Sequence, residues 1–306
     1  MNSVPSILMI TTAFFESWPK WMPAFLESCR LNSDIDWLLL GKPSLSQNLP
    51  PNVRFQPMEL AEFLERAKTA TGFNVEKGRE KGRYSQCNLR PAYGKIFADY
   101  INGYDFWGYY DIDILFGRIR KFFTDKVFSE YSIISSMQHR MSGYLAFYRN
   151  LPEVNDFFLG VRDCQLWLES PTNNSFEELL ITNHIRSLIA ENRLPFRVFW
   201  DDMVAVDLFE LRERPHGWMW SDGRVLDASG HERAYIHFAE WKHNFRSIEL
   251  GLPGAPLHIT RFGISHRAFS QFHYWRWHLT ELCRRSYWEK RWIPFFRTIF
   301  REYGLI

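Results

Sequence analysis

Gly103-Tyr104-Asp105-Phe106-Trp107-Gly108-Tyr109-Tyr110-Asp111-Ile112-Asp113-Ile114-Leu115-Phe116-Gly117 is an aromatic strand that runs straight into Asp-Ile-Asp. Side chains of a strand alternate with period two, so carboxylates at i and i+2 point the same way. Two like charges that close repel, and an apolar strand does not tolerate them cheaply. A divalent cation held by oxygen ligands removes that cost. A metal beside a buried strand end points in turn to a diphosphate, and so to a nucleotide-activated substrate.

Working outward, residues 6–12 (SILMITT) read as a buried first strand and 36–40 (DWLLL) as a second. Residues 21–30 have helical spacing, with Phe25, Leu26 and Cys29 on one face. Residues 43–51 are a Pro-rich loop, and 58–72 a helix ended by Gly72. Strand–helix–strand–helix is the signature of a parallel sheet with crossover helices. Residues 74–86 (NVEKGREKGRYSQ) are polar, charged and Gly-bearing, and read as a mobile loop. A helix over 92–100 then leads to the strand 106–110 that delivers Asp111. Residues 133–135 and 143–148 read as strands, and 175–192 as a helix with Ser175 at its N-cap. Short strands and turns follow from about residue 196.

The 306 residues are 46% hydrophobic, enough for one large α/β domain or one domain with an appendage. Aromatic residues make up 17%, with 13 Trp, a composition found on surfaces that stack on sugars or sit at membrane interfaces. Cys29, Cys87, Cys164 and Cys283 are scattered, which argues against zinc sites and disulfide frameworks and fits a reducing cytosol. No basic-headed signal and no run of eighteen apolar residues is visible. The net charge of +2 hides an asymmetry. Residues 261–306 hold nine basic and three acidic residues, which leaves −4 on the rest. That basic, Trp-rich end suits an anionic membrane surface. Nucleic acid is the other basic-patch reading, but no nucleic-acid motif accompanies it.

The ordered blocks "ILMITTAFF", "FLESCRLNSDIDWLLLG", "NLRPAYGKIFADYINGYDFWGYYDIDILFG", "MSGYLAFYRN" and "YIHFAEWK" resemble the type-A-fold glycosyltransferases of bacterial polysaccharide gene clusters. More distantly they resemble the glycogenin and lipopolysaccharide-galactosyltransferase group. The resemblance runs over roughly residues 6–245, and the block 90–117 is its specific part. It implies an α/β, Rossmann-like type A fold, a mostly parallel central sheet with flanking helices, and a C-terminal helical extension is expected beyond it. Residues 1–250 would be the catalytic domain and 251–306 the basic aromatic extension.

The resemblance also implies roles. Asp111 and Asp113 would hold Mn²⁺ or Mg²⁺, completed by His237. Thr11, Thr12, Phe14, Arg90, Tyr93, Asp111, Ser142 and Gly143 would line the nucleotide-sugar site. Arg90 stands where relatives carry Lys, a planar fork in place of a point charge. Relatives place an acid just after the second strand, whereas this chain has Gly41-Lys42, which puts the choice of uridine in doubt. For the acceptor side, Glu177 and Glu178 compete with Asp201 and Asp202. Glu178 is the favoured base, while Glu177 is read as compensating a helix dipole.

The expected activity is a metal-dependent sugar transfer from a nucleoside-diphosphate sugar, UDP-linked by preference, to a glycan acceptor of capsule or lipopolysaccharide biosynthesis. The setting would be cytoplasmic, peripheral to the membrane if residues 261–306 bind it and the acceptor is lipid-linked. Two rivals stand beside it. A nucleotidyl or phosphoryl transferase also uses paired carboxylates, but no GxxxxGK[ST] or GxGxxG phosphate loop occurs. A non-catalytic glycan-binding protein would keep the aspartates as remnants.

Overall fold

Strand β1 (Ile7–Ala13) is apolar on both faces, and both faces are buried. Ile7 and Met9 pack into one core with helix α1 (Met22–Arg30). Leu8 and Ile10 pack into the other with α2 (Leu60–Thr71) and the short α3 (Tyr93–Ile96). Burial on two faces is what a central parallel strand demands. The computed structural model describes residues 4–42, 48–75, 85–201, 203, 218–227, 229–245, 247–252, 254–260 and 263–268.

Beside β1 lie β2 (Asp36–Gly41), β3 (Val53–Pro57) and β4 (Phe106–Tyr110), all parallel, in the order β3-β2-β1-β4. The sheet continues through β7 (Leu145–Arg149), β6 (Ile133–Ser135) and β8 (Val198–Trp200). Strand β7 runs antiparallel to both neighbours, and β8 is parallel to β6. This is a mixed α/β architecture on a mostly parallel sheet. Its direction of winding changes between β1 and β4, the place where such sheets open a crevice at their C-terminal edge.

After β4 the chain makes a short excursion, β5 (Ile114–Phe116), which pairs antiparallel with β12 (Tyr235–His237). A second sheet runs β11 (Glu232–Arg233), β10 (Arg224–Leu226), β9 (Trp218–Ser221), β14 (Leu257–Thr260), β15 (Gly263–Ser265), β13 (Ser247–Glu249). The helical extension expected from residue 251 therefore does not begin there: β14 and β15 are strands that complete this sheet. Residues 269–306 and 76–84, most of the segment expected to be a mobile loop, lie outside the described residues.

Three local expectations change. The helix expected over 92–100 is α-helical only at Tyr93–Ile96 and is preceded by a 3₁₀ helix, Ser85–Ala92. Pro91 has no N–H to donate to an i−4 carbonyl, so an α-helical ladder cannot include it as a donor. The helix over 175–192 opens as a π-helical segment, Phe176–Ile181, followed by an α-helix, Thr182–Ala190. Ser175 is left-handed (φ 51°) and its side chain caps nothing; a cap needs extended backbone and a side-chain acceptor aimed at the first turn. Strand β3 was not anticipated. It is an edge strand with one buried residue and a terminal Pro, which leaves little apolar alternation to see.

Within the signature strand, Trp107 is paired with Tyr148 across the β4–β7 ladder, and the rings stack at 4.5 Å and 7°. Gly108, the next residue of β4, is paired with Phe147 on β7 and with Met9 on β1. A Cβ there would lie 2.4 Å from the Ala146 carbonyl oxygen and 2.6 Å from Met9 Sδ. The carbonyl is backbone and cannot yield without parting β4 from β7. Gly108→Ala should therefore destabilise the protein by about 2 kcal/mol or more, the usual cost of overpacking. Urea unfolding measures it, and an unchanged midpoint would show that the ladder can open.

Candidate active site

Strand β4 ends at Tyr110, so Asp111 leaves the sheet at its C-terminal edge, beside the end of β1. Two hydrogen bonds hold the turn that follows. The Asp111 N–H donates to the Tyr144 carbonyl at 3.1 Å. Trp21 Nε1 donates to the Ile112 carbonyl at 2.9 Å. Strand β5 then pairs with β12 in the register His237↔Ile114, and Phe238 N–H donates to the Asp113 carbonyl at 2.8 Å. That register places an imidazole from residue 237 beside two carboxylates over a hundred residues earlier.

His237 Nε2 lies 3.5 Å from Asp111 Oδ2 and 3.4 Å from Asp113 Oδ1. One donor atom from each of the three falls within 4.8 Å of the others. Around an ion with bonds of about 2.1 Å, neighbouring donors sit roughly 3 Å apart and opposite ones roughly 4.2 Å. The donor set thus could hold a small divalent cation. The Tyr144 ring backs the imidazole, with centroids 4.3 Å apart.

The surrounding charges are closely placed. Arg90 donates to Asp111 Oδ1 and to the Gly143 carbonyl. Its guanidinium is 3.6 Å from Glu177 Oε1. Lys242 Nζ lies 2.5 Å from Asp113 Oδ2. Asp113 is only 4% exposed. Burial by itself would raise its pKa, but His237 and Lys242 outweigh burial and hold the carboxyl well below its ordinary range. Glu177, also 4% exposed, goes the other way. Burial pushes it up to about 7 against the pull of Arg90. Geometry agrees, because Arg90 spends its close hydrogen bonds on Asp111 and Gly143, and Glu177 Oε2 has no partner.

Gly143 forms a shelf under this cluster. A Cβ there would lie 2.8 Å from Glu178 Oε1 and 3.2 Å from Glu177 Oε1, and the Gly143 N–H donates to Glu178 Oε1 at 3.3 Å. Ser142 Oγ accepts from the N–H groups of Tyr144 and Leu145, so its hydroxyl shapes this turn. Thr11 Oγ1 donates to the Tyr110 carbonyl and locks β1 to the end of β4. Thr12 Oγ1 and Tyr93 Oη are 3.0 Å apart. Phe14 packs on Phe63.

The structure brings Asp111, Asp113, His237, Arg90, Gly143 and the glutamate pair together. Asp201 follows β8, three places along the sheet from β4, and is outside the three-residue cluster. Asp202 lies outside the described residues. Glu177 is a buried neighbour of Arg90 as well as a first-turn acid, so the reading as a plain helix-dipole acid was too simple. Lys242 was not singled out from the sequence. The signal was there, five residues after His237 in YIHFAEWK, but a lysine on a polar turn carries no mark of its target.

The model of a family described only as of unknown function (DUF6625) matches residues 10–271. No curated protein matches the sequence. Among solved structures, the chain is similar to the galactosyltransferase LgtC with donor and acceptor sugar analogues (11% identity, TM-score 0.32, 64% of this chain and 72% of that one). It is similar to mouse xyloside xylosyltransferase 1 (10%, 0.30, 65% and 78%). It is also similar to the glycosyltransferase GlyE of Streptococcus pneumoniae (10%, 0.30, 65% and 45%).

Glu177 links the site to pH. A carboxyl raised in the fold contributes stability that is complete below its ordinary value of 4.5 and is lost as pH rises through about 7. Glu177→Gln is neutral at every pH and escapes that loss. Its stability relative to wild type should climb by about 1–3 kcal/mol from pH 5 to pH 8. Urea titrations at four pH values test this, and a flat difference would mean that Glu177 is ionised throughout.

Proposed function

The chain belongs to that family of unknown function, and we propose that it is a metal-dependent glycosyltransferase using a nucleoside-diphosphate sugar. One observation carries the reading: two aspartates and a histidine converge at the switch point of a parallel sheet, with Arg90 and Lys242 against them. Asp111, Asp113 and His237 would hold Mn²⁺ or Mg²⁺, which when bound offsets charge on the leaving diphosphate as a Lewis acid. Lys242 and Arg90 add two positive charges on the same side, suited to phosphate oxygens. Without a side chain at Gly143, the Glu177 and Glu178 carboxylates come close to the loop backbone, on the side where the sugar would lie. Glu178 is the base that would take the proton from an acceptor hydroxyl, if the transfer inverts configuration.

The DxD-type pair and two cations serve a nucleotidyl transferase equally well, and the products separate the two. Slow hydrolysis of a UDP-sugar in the presence of Mn²⁺ should release UDP and free sugar. Release of UMP would instead support the nucleotidyl reading, and no turnover across UDP-, GDP- and TDP-sugars would favour a glycan-binding protein. The acceptor is a glycan on this reading. We place the enzyme on the cytoplasmic side of an anionic membrane, where residues 261–306 would hold it near a lipid-linked acceptor of capsule or lipopolysaccharide synthesis. Support for the membrane rests on the basic, Trp-rich composition of that segment. Among the described residues, no helix is long and apolar enough to cross a membrane.

Two measurements follow. UDP with Mn²⁺ should raise the melting temperature of the wild type, and Asp113→Ala should abolish that rise, with Asp111→Ala and His237→Ala weakening it strongly. Equal shifts in all variants would remove the metal site. Co-sedimentation with anionic liposomes should occur at low salt, fade at high salt, and drop when Arg284, Arg285, Lys290 and Arg291 are neutralised. Protein that stays in the supernatant at low salt would remove the membrane partner and leave the transferase reading in place.

A further inference from the structure

Glu177 and Glu178 are consecutive, yet both reach the same glycine. A Cβ on Gly143 would meet Glu178 Oε1 at 2.8 Å and Glu177 Oε1 at 3.2 Å. Consecutive side chains of an α-helix point about 100° apart. The wider π winding of Phe176–Ile181 brings them closer in direction. Such winding is rare and occurs often at functional sites. Its start has little local support here, since Ser175 is left-handed at φ 51° and caps nothing.

Asn88 supplies the hold. It is fully buried, 0% exposed, in the 3₁₀ helix that carries Arg90. Its Nδ2 donates to the Thr172 carbonyl at 2.8 Å, and its Oδ1 accepts from the Asn174 N–H at 3.2 Å. Both bonds go to the backbone just before Ser175. Making them takes a side chain that donates and accepts at once; a carboxylate of the same size would lose the first bond and an alkyl chain both. Asn174 Nδ2 in turn donates to the Trp167 carbonyl at 2.9 Å, which anchors the far side of the same segment. We propose that Asn88 is a positioning residue that sets the glutamate pair against the Gly143 floor, and so governs proton transfer rather than donor binding. The inference rests on the transferase reading above, in which Glu178 takes the proton. The metal ligands are placed by other means, Asp111 by β4 and the Tyr144 carbonyl and His237 by the β5–β12 register. Loss of the Asn88 amide should therefore move the glutamates and leave the metal and nucleotide side in place.

A buried asparagine can also act through stability alone, and Asn52 provides the comparison. Its Nδ2 donates to the Cys29, Asn32 and Ile35 carbonyls at 2.9, 3.0 and 3.0 Å. It stands just before β3, at the sheet edge opposite the site. The experiment follows hydrolysis of a nucleoside-diphosphate sugar at saturating Mn²⁺, urea stability, and the melting shift caused by UDP with Mn²⁺. The proteins are wild type, Asn88→Ala, Asn88→Asp and Asn52→Ala, all as the full chain. Asn88→Ala should lose roughly tenfold to a hundredfold in kcat, the scale of a small misplacement of a reacting group. Its KM and melting shift should match wild type. Asn88→Asp keeps the bond from Asn174 and should fall between the two. Asn52→Ala should lose stability and keep kcat. An unchanged kcat in Asn88→Ala, an equal loss in Asn52→Ala, a loss of nucleotide binding together with kcat, or failure of both Asn88 variants to fold each makes Asn88 structural only. Any of these overturns the proposal and leaves the transferase reading standing. No turnover by the wild type with UDP-, GDP- or TDP-sugars overturns both.

Discussion

Three residue pairs in one short antiparallel ladder, Phe116–Tyr235, Leu115–Ile236 and Ile114–His237, hold the site together. Without them the Asp-Ile-Asp turn would be an acidic bulge at a sheet edge. With them a histidine from the C-terminal part of the chain is delivered against it. The ladder is only three residues long, so its neighbours carry it. Leu115, Phe116, Tyr235 and Ile236 are all fully buried in the core shared with α1. Gly117 N–H continues the pairing to the Ala234 carbonyl, and Asn32 at the end of α1 accepts from Ile119 N–H and donates to the Gly117 carbonyl. A register slip of one residue would turn His237 to the other face. Burial of Tyr235, Ile236 and their partners forbids that slip.

The electrostatics follow from how little water reaches this ladder. Asp113 keeps its charge because His237 and Lys242 are close enough to beat desolvation. Glu177, at the same depth, has only a share of Arg90, and burial wins. Two acids of similar burial thus shift in opposite directions, set by which cation commits to which carboxylate. Arg90 decides the matter, since its planar fork is satisfied by Asp111 and the Gly143 carbonyl before Glu177 is reached.

Much of the parallel half was legible because its strands are apolar on both faces: the expected 106–110 and 133–135 agree with β4 and β6, and 6–12 with β1 to one residue. The DxD pair stood out for the same reason, as charge where an aromatic strand allows none. What failed was governed by geometry that sequence does not show. Strand β5 is three apolar residues whose partner lies over a hundred positions away. Ser175 had the right chemistry for a cap but the wrong backbone. Residues 251 onward were expected to form a helical extension, yet Leu257–Thr260 and Gly263–Ser265 pair as strands. The targets of Arg90 and Lys242 were set by tertiary contact alone.

The reversed direction of β7 carries a meaning for how such a protein assembles its working edge. In a wholly parallel sheet, each strand presents that edge only with the loop that leaves it. Because β7 runs against β4, it reaches the same edge with the loop that enters it, and that loop is Met141-Ser142-Gly143-Tyr144. Tyr144 thereby backs His237, and the Gly143 carbonyl meets Arg90. One strand turned around gives the rim two kinds of tenant, outgoing loops that bring the carboxylates and an incoming loop that brings the floor. The two are tied to each other, since the Asp111 N–H donates to the Tyr144 carbonyl and Arg90 joins Asp111 to the Gly143 carbonyl, so the floor and the carboxylates must change together while the sheet beneath them stays the same.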